Sequence, residues 1–154
     1  MLRSLLVGLP AILACLVLQS YFVTLCLRSY LHFRHQSQAS DKALPDVLML
    51  SSVMLITLVG NFLQLGFWAL LFLFLGEFDN FQTALYHSGV NFATLGYGDI
   101  VMSEQWRLLG PLEAANGILM FGVSTAVMTA AVMDVMKHNA VARAAREGRP
   151  PPTF

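Results

Sequence analysis

The segment at residues 94–99, Thr-Leu-Gly-Tyr-Gly-Asp, has the residue types and spacing to bind a cation with backbone oxygens. Consecutive carbonyl groups can point the same way only if successive residues alternate between right- and left-handed conformations. A non-glycine residue in the left-handed conformation costs about 1–2 kcal/mol, whereas glycine costs almost nothing. We therefore predict left-handed conformations at Gly96 and Gly98. The side chains of Leu95 and Tyr97 would turn away into protein, leaving a short column of oxygens that can replace the water around a bare cation.

The composition of the chain indicates that the protein lies in lipid rather than in water. Of 154 residues, 56% are hydrophobic and only 12% are charged, whereas soluble domains carry about 25% charged residues. The length suits a single domain. The formal net charge is zero, so no nucleic-acid partner is expected. We predict an all-α membrane protein in contact with a lipid bilayer.

Three apolar runs are long enough to cross a bilayer, which needs roughly 20 helical residues. They lie at residues 5–27, 47–75 and 112–136. The first run continues well beyond the apolar core of a signal peptide, which is about 7–15 residues long, so we interpret it as a retained helix. A shorter run at 81–92 cannot span and suits a short helix.

The charged residues predict the orientation of these helices. Basic residues gather in the first connection and the C-terminal tail, and acidic residues gather on the opposite side: Arg28, Arg34, Lys42, Lys137, Arg143, Arg146 and Arg149 against Glu77, Asp79, Asp99 and Glu104, with Arg107 as the exception. Loops rich in Lys and Arg stay cytoplasmic. We therefore expect a multi-pass protein of the cell (plasma or inner) membrane with its N-terminus outside and its C-terminus in the cytoplasm.

The irregular 94–99 segment between two spans needs an explanation. In lipid, irregular backbone survives only where it is buried in protein or lines a water-filled path. The segment resembles the signature sequence of potassium channels, with Leu95 where valine or isoleucine is common. The run GILMFGVSTA at 117–126 is similar to the inner helix of bacterial potassium channels, and Gln-Trp-Arg at 105–107 also fits. The resemblance covers residues 47–136 and leaves the first helix outside.

The resemblance implies a domain organisation and an assembly. Residues 1–46 would form an N-terminal transmembrane helix and a basic linker, and 137–154 a short basic tail. The pore domain at 47–136 would contain an outer helix at 47–75, a re-entrant pore helix at 81–92, a selectivity filter at 94–99 and an inner helix at 112–136. One column of oxygens cannot encircle an ion, but four columns around a closed symmetry axis can. We therefore expect a homotetramer.

The function implied by this resemblance is passive, potassium-selective conduction rather than enzymatic catalysis, with K⁺ as the permeant ion and no cofactor. It assigns the K⁺ ligands to the hydroxyl of Thr94 and to the carbonyls of Thr94, Leu95, Gly96 and Tyr97. Gly98 would close the turn to the outer mouth, where Asp99 lies. Two alternatives stay open: a non-conducting partner or regulatory subunit that retains the channel fold, and a cation-uptake subunit driven by cytoplasmic partners.

Tyr86 and His87 stand where many potassium channels have two tryptophans that brace the filter tyrosine. We expect Tyr86 to brace Tyr97, and His87 to contribute less. Val90 replaces a glutamate that in some relatives holds the aspartate behind the filter. These departures concern the stability of the filter more than its choice of ion.

Glu113 carries a carboxyl group at the outer end of a predicted span. A carboxyl group within a membrane span usually has a function or a hydrogen-bonding or charged partner. One interpretation is that Glu113 caps the helix N-terminus, where negative charge is favoured. The other is that Glu113 and Asn116 support the filter from behind by hydrogen bonds to His87, Asn91 or Arg107.

The last span carries candidates for a cavity and a hinge. Ile118, Phe121 and Thr125 share one helix face, which the resemblance places toward a central cavity; the alternative is that they pack on a neighbouring helix. The resemblance matches Gly117 to the inner-helix hinge, and Gly122 could bend the helix too. Alternatively, Gly117 makes room beneath the filter and Gly122 makes room at a helix crossing.

Other polar residues in or near the spans have simpler interpretations. Asn61 and Gln64 lie on one helix face and are expected to join helices. Asp134 is interpreted as a solvated charge at a helix end, with a gate or cation site as the alternative. The histidines of the cytoplasmic side are expected to be solvated, with a pH sensor as the alternative: His32, His35 and His138. No span has arginine at every third position, so no voltage sensor of that kind is expected.

Overall fold

The computed structural model describes residues 1–37, 44–150 and 152. Four helices follow one another along the chain: α1 (Leu2–Ser37), α2 (Leu44–Phe74), α3 (Phe81–Phe92) and α4 (Leu109–Arg146). Three of them, all except α3, are long and apolar enough to cross a membrane. The described residues contain no strand. The prediction of an all-α membrane protein is confirmed.

The first helix packs against the rest of the fold rather than standing apart from it. α1 lies against both α2 and α4. Glycines allow these close approaches: a Cβ added at Gly60 would lie 2.9 Å from the ring of Phe22, and one at Gly8 would lie 2.5 Å from the side chain of Leu112. Small residues at such crossings let helix backbones pack tightly in a membrane.

The second helix buries one stripe of side chains. Its buried residues recur three or four positions apart: Met49, Val53, Thr57, Gly60, Asn61, Gln64, Trp68, Ala69 and Phe72. This spacing puts them on one face of the helix, toward α1, α3 and α4. α2 begins three residues before the predicted outer helix at 47–75 and ends one residue earlier.

The short helix α3 occupies the range in which the sequence predicts a short helix, Phe81–Phe92. Asn80 caps its N-terminus, since the side-chain oxygen accepts a hydrogen bond from the Thr83 amide at 2.8 Å. This is the usual way to satisfy an unpaired amide in the first turn. α3 packs between α2 and α4, where Ala84 and Ser88 are fully buried.

The last helix is longer than the sequence predicts. α4 begins at Leu109 and continues to Arg146, whereas the predicted inner helix covers 112–136. The predicted tail at 137–154 is therefore helical over its first ten residues. Arg143 and Arg146 lie in the last turn, where the helix dipole favours positive charge, and the guanidinium of Arg143 pairs with Glu147 at 2.9 Å.

Candidate functional site

The C-terminal end of α3 fixes the start of the 94–99 segment. The amide of Thr94 donates to the Asn91 carbonyl at 2.8 Å, and the amide of Leu95 donates to the Val90 carbonyl at 2.8 Å. The amide of Gly96 lies 3.5 Å from the same Val90 oxygen. The segment is thus tied to the last turn of α3 through its N–H groups, which leaves its carbonyl groups available.

The backbone of the segment alternates in handedness. Gly96 and Gly98 have φ of 61° and 71°, in the left-handed region that the sequence predicts for them. Thr94 is also left-handed, with φ of 59°, and this was not predicted, because such a conformation costs a residue with a side chain about 1–2 kcal/mol. Leu95 and Tyr97, between them, have no positive φ. The alternation therefore extends over five residues.

The carbonyl oxygens of residues 94–97 accept no hydrogen bond from the described part of the chain. Unpaired carbonyls are unusual in a folded protein, because each is a strong acceptor that must find a partner or remain in water. A row of such oxygens is chemically suited to bind a dehydrated monovalent cation.

The expectation that the side chains of Leu95 and Tyr97 turn into protein stays a prediction, because a single chain leaves both largely exposed. Leu95 is 54% exposed and Tyr97 is 65% exposed. Both line an open groove of about 500 Å³ whose other walls come from α2 and α3, including Phe62 and Leu85. The reason is that a single chain covers the segment from one side only.

Tyr86 holds the end of the segment rather than the ring of Tyr97. Its hydroxyl donates a hydrogen bond to the carboxylate of Asp99 at 2.7 Å. The two tyrosine rings do line the same groove. The hydrogen bond lowers the pKa of the Asp99 carboxyl and raises the pKa of the Tyr86 phenol, because it stabilises the ionised acid and the protonated phenol.

His87 anchors the chain just beyond the segment. Its Nδ1 lies 3.0 Å from the carbonyl oxygen of Ile100, which can only accept, so Nδ1 carries the proton. Its Nε2 lies 2.8 Å from the side-chain nitrogen of Asn91 and accepts from it. A neutral imidazole satisfies both contacts. Burial against Phe72 and Phe78 agrees with this, since desolvation lowers the pKa of His87.

Glu113 is fully buried and contacts α3 through Ser88, whose hydroxyl donates to Oε1 of Glu113. The capping interpretation is wrong: the N-cap of α4 is Leu108, and no acidic side chain lies in the first turn. Asn91 lies beside the carboxyl group, as predicted. The predicted contacts to His87 and Arg107 do not form. The second carboxyl oxygen of Glu113 has no hydrogen-bond partner among the described residues.

Asn116 was also predicted to support the segment by hydrogen bonds, and the structure does not show this. Its side chain is buried, but neither amide atom has a hydrogen-bond partner among the described residues. Asn116 lies one turn beyond Glu113 on α4 and faces Cys15 of α1 rather than the segment.

Ser88 contacts the candidate site, and the sequence analysis did not identify it. Three consecutive residues of α3 reach three different elements: Tyr86 reaches Asp99, His87 reaches Ile100, and Ser88 reaches Glu113. They point about 100° apart around the helix, so one turn of α3 holds the segment, its exit and α4 together. The available signal was a hydroxyl residue on the short helix together with an acidic residue near the start of the last apolar run.

Comparison with protein families finds a match to the family described as Ion channel over residues 47–134, more than half of the chain. The chain belongs to the ion channel family. No curated protein and no solved structure matches the chain. The match includes most of α2, all of α3, the 94–99 segment and most of α4, and it leaves α1 outside.

The predicted cavity face of this channel is largely exposed within its own chain. Ile118 and Phe121 are 63% and 44% exposed, and Thr125 is exposed as well. The ring of Phe121 lies edge-on to Phe92, the last residue of α3, with ring centroids 5.4 Å apart. This face therefore begins directly below the C-terminal end of α3.

The two glycines of α4 differ in their surroundings. A Cβ on Gly117 would overlap the carbonyl oxygen of Phe92 and lie 2.8 Å from its carbonyl carbon, whereas a Cβ on Gly122 would meet no atom within 4 Å. α4 is helical without interruption through both positions. The geometry favours the interpretation that Gly117 makes room beneath α3. The proposed close helix crossing at Gly122 does not occur within the chain.

The prediction that Asn61 and Gln64 join helices is confirmed. Asn61 donates to the hydroxyl of Ser124 at 3.2 Å, and Gln64 donates to the side-chain oxygen of Gln19 at 2.6 Å. The interpretation of Asp134 as a solvated charge is wrong, since Asp134 is half-buried and accepts a hydrogen bond from Tyr30.

Part of the predicted cytoplasmic side lies outside the described residues. His32 and His138 are exposed, as expected. Lys42 of the predicted basic linker lies outside the described residues, and the side chains of Arg34 and His35 lie outside those described.

Proposed function

We propose that this ion channel conducts K⁺ selectively and passively, through a filter formed by residues 94–98 of four identical chains. The observation that carries the proposal is the alternation of left-handed Thr94, Gly96 and Gly98 at the end of α3, next to carbonyls that accept no hydrogen bond from the described residues. In potassium channels, rings of such carbonyls replace the hydration shell of the ion.

The exposed apolar side chains around the filter support a homotetramer. Leu95 and Phe62 are each more than half exposed although they line the groove beside the filter segment. A second copy would cover them and complete the groove beside Leu95 and Tyr97. With one segment per chain, four chains around a closed axis provide four carbonyls at each level.

Each part of the site has a role in this mechanism. The carbonyls of residues 94–97 bind K⁺ in successive rings, and the Thr94 hydroxyl adds the innermost ring. The C-terminal end of α3 carries the negative end of the helix dipole, which stabilises a cation in the cavity below it. Tyr86, His87 and Ser88 keep the segment in place through the contacts described above.

The charge distribution supports the sidedness of the proposal. The end of the bundle that carries Glu77, Asp79 and Glu104 would face outward, and the basic end of α4 would lie in the cytoplasm. We propose a cell membrane location with the N-terminus of α1 outside.

The experiment is an ion-flux assay on purified tetramers reconstituted into liposomes with a potassium gradient. The proposal predicts K⁺ flux and no Na⁺ flux. Equal flux of the two ions would contradict selectivity. Absence of flux from folded tetramers would instead favour a non-conducting partner subunit that keeps the channel fold.

A further inference from the structure

Helix α1 is outside the region that matches the ion channel family, yet it makes polar contacts along its whole length. Near its beginning, the hydroxyl of Ser4 donates to the carbonyl of Gln105 at 3.0 Å. At its middle lies Gln19, and near its end lies Tyr30, both hydrogen-bonded to α4. The first contact holds the loop before α4, and the other two hold α4 itself.

The middle contact joins three helices. Gln19 is buried, accepts from Gln64 of α2 at 2.6 Å, and donates to the hydroxyl of Ser124 of α4 at 3.2 Å. Ser124 in turn donates to its own helix at the Met120 carbonyl, at 2.9 Å. Inside a membrane, no water competes for these groups, so such bonds join helices with defined partners.

The last contact lies in the half of α4 that is proposed to be cytoplasmic. The hydroxyl of Tyr30 donates to the carboxyl group of Asp134. Asp134 is nine residues beyond Thr125 on α4, which places it about 180° around the helix from the cavity face. Asp134 therefore faces α1 and not the conduction path, but it is at the level where four inner helices would converge.

Between the two contacts, α1 and α4 meet in a small apolar cluster. Cys26 of α1 packs there with Val53 of α2 and Ala131 of α4. An open apolar groove of about 310 Å³ adjoins this cluster, lined by Val23 and Leu27 of α1 and by Val127 and Ala130 of α4, among others. The groove leaves part of the α1–α4 contact unfilled, and the hydrogen bonds of Gln19 and Tyr30 add restraints with defined partners on either side of it.

We propose that α1 restrains the gate of the channel, with Tyr30 and Gln19 as positioning residues that hold the cytoplasmic half of α4 in its uninterrupted, closed-state conformation. Any bend or slide of α4 that widens its cytoplasmic end moves Asp134 relative to Tyr30 and breaks their hydrogen bond. This inference rests on the proposed function, because it describes how conduction is gated. It gives α1 a role that the pore alone does not require.

The test is single-channel recording of Tyr30→Phe, which removes only the hydroxyl. Tyr21→Phe is the matched control, since Tyr21 lies on the same helix, is 63% exposed and makes no hydrogen bond in the described structure. Tyr30→Phe should shift the closed–open equilibrium toward open by about fivefold per subunit, the value of one hydrogen bond. Unitary conductance and selectivity should stay unchanged, because the filter is untouched.

A double-mutant cycle assigns the effect to the pair. Tyr30→Phe combined with Asp134→Ala, which removes the acceptor, should open the channel no more than the larger single effect. Additive effects, or a Tyr30→Phe variant that behaves like Tyr21→Phe, would overturn the inference while leaving the proposed conduction intact. A wild-type protein without K⁺ current would instead overturn the proposed function.

Hydrogen exchange tests the role of Tyr30 even if the wild-type protein carries no K⁺ current. In lipid nanodiscs, amides at 127–146 should exchange faster in Tyr30→Phe than in Tyr21→Phe, because the cytoplasmic half of α4 loses a restraint. Equal exchange in the two variants would show that Tyr30 does not position α4, whether or not the protein conducts.

Discussion

Replacing Gly117 by alanine tests how α4 supports the filter. The new Cβ would overlap the carbonyl oxygen of Phe92 and lie 2.8 Å from the carbonyl carbon and 3.1 Å from the Cα of that residue. All three are backbone atoms and cannot rotate away, so α3 or α4 must move. Overpacking of this kind costs about 1–3 kcal/mol, and the better helix propensity of alanine returns only about 0.5–1 kcal/mol. We expect a net cost of about 1–2 kcal/mol per chain, multiplied by four in a tetramer.

The structural consequence is displacement of the end of α3, which carries Thr94 through the hydrogen bonds of the last turn. Gly117→Ala should therefore lower unitary conductance or selectivity and lower the melting temperature of the tetramer. Gly122→Ala is the matched control, because its Cβ would meet no atom within 4 Å. Single-channel recording separates conductance from open probability. Normal conductance and selectivity with reduced open probability would refute this reasoning and favour a hinge at Gly117.

Three further predictions concern the filter and its supports. Gly96→Ala should abolish selective conduction, because a side chain in the left-handed conformation adds strain of about 1–2 kcal/mol per chain. Gly76→Ala is the control, since Gly76 also has a positive φ and lies in open space; it should carry a similar strain and keep selectivity. Selective currents from Gly96→Ala in a flux assay would contradict the filter assignment. Tyr86→Phe removes the hydrogen bond to Asp99 and should speed the decline of current during sustained recording; an unchanged decline would show that this bond does not stabilise the filter. Burial lowers the pKa of His87 in the folded protein, so as pH falls His87 binds a proton in the unfolded chain before it does so in the folded one. Thermal stability should therefore decrease below about pH 6.5. A His87→Gln variant with the same pH dependence would contradict the assignment of this effect to His87.

Much of the fold follows from the sequence, because apolar length and charge are properties of single segments. The short helix at Phe81–Phe92 and the left-handed Gly96 and Gly98 are examples. The helix ends were less predictable: α4 continues to Arg146 because residues 137–146 are compatible with a helix that leaves the membrane. Hydropathy indicates where the apolar run ends, not where the helix ends.

The partners of the polar residues could not be predicted, because they depend on how helices rotate against one another. Glu113 was expected to contact His87 or Arg107, yet Ser88 faces it across the α3–α4 contact. Asp134 looked solvated in the sequence, but its partner Tyr30 lies on another helix 104 positions earlier. The left-handed Thr94 could not be expected either, since its strain is compensated by an amide hydrogen bond to the end of α3.

The most direct test of potassium-selective conduction is the reversal potential of single channels in a planar bilayer, with K⁺ on one side and Na⁺ on the other. A filter of carbonyl rings from residues 94–97 should carry K⁺ current only, so the reversal potential should move strongly in the direction that opposes K⁺ efflux. Adding K⁺ to the Na⁺ side should then return it toward zero. A reversal potential near zero with Na⁺ alone on that side would contradict the account, because it would show that the open pore does not distinguish the two ions.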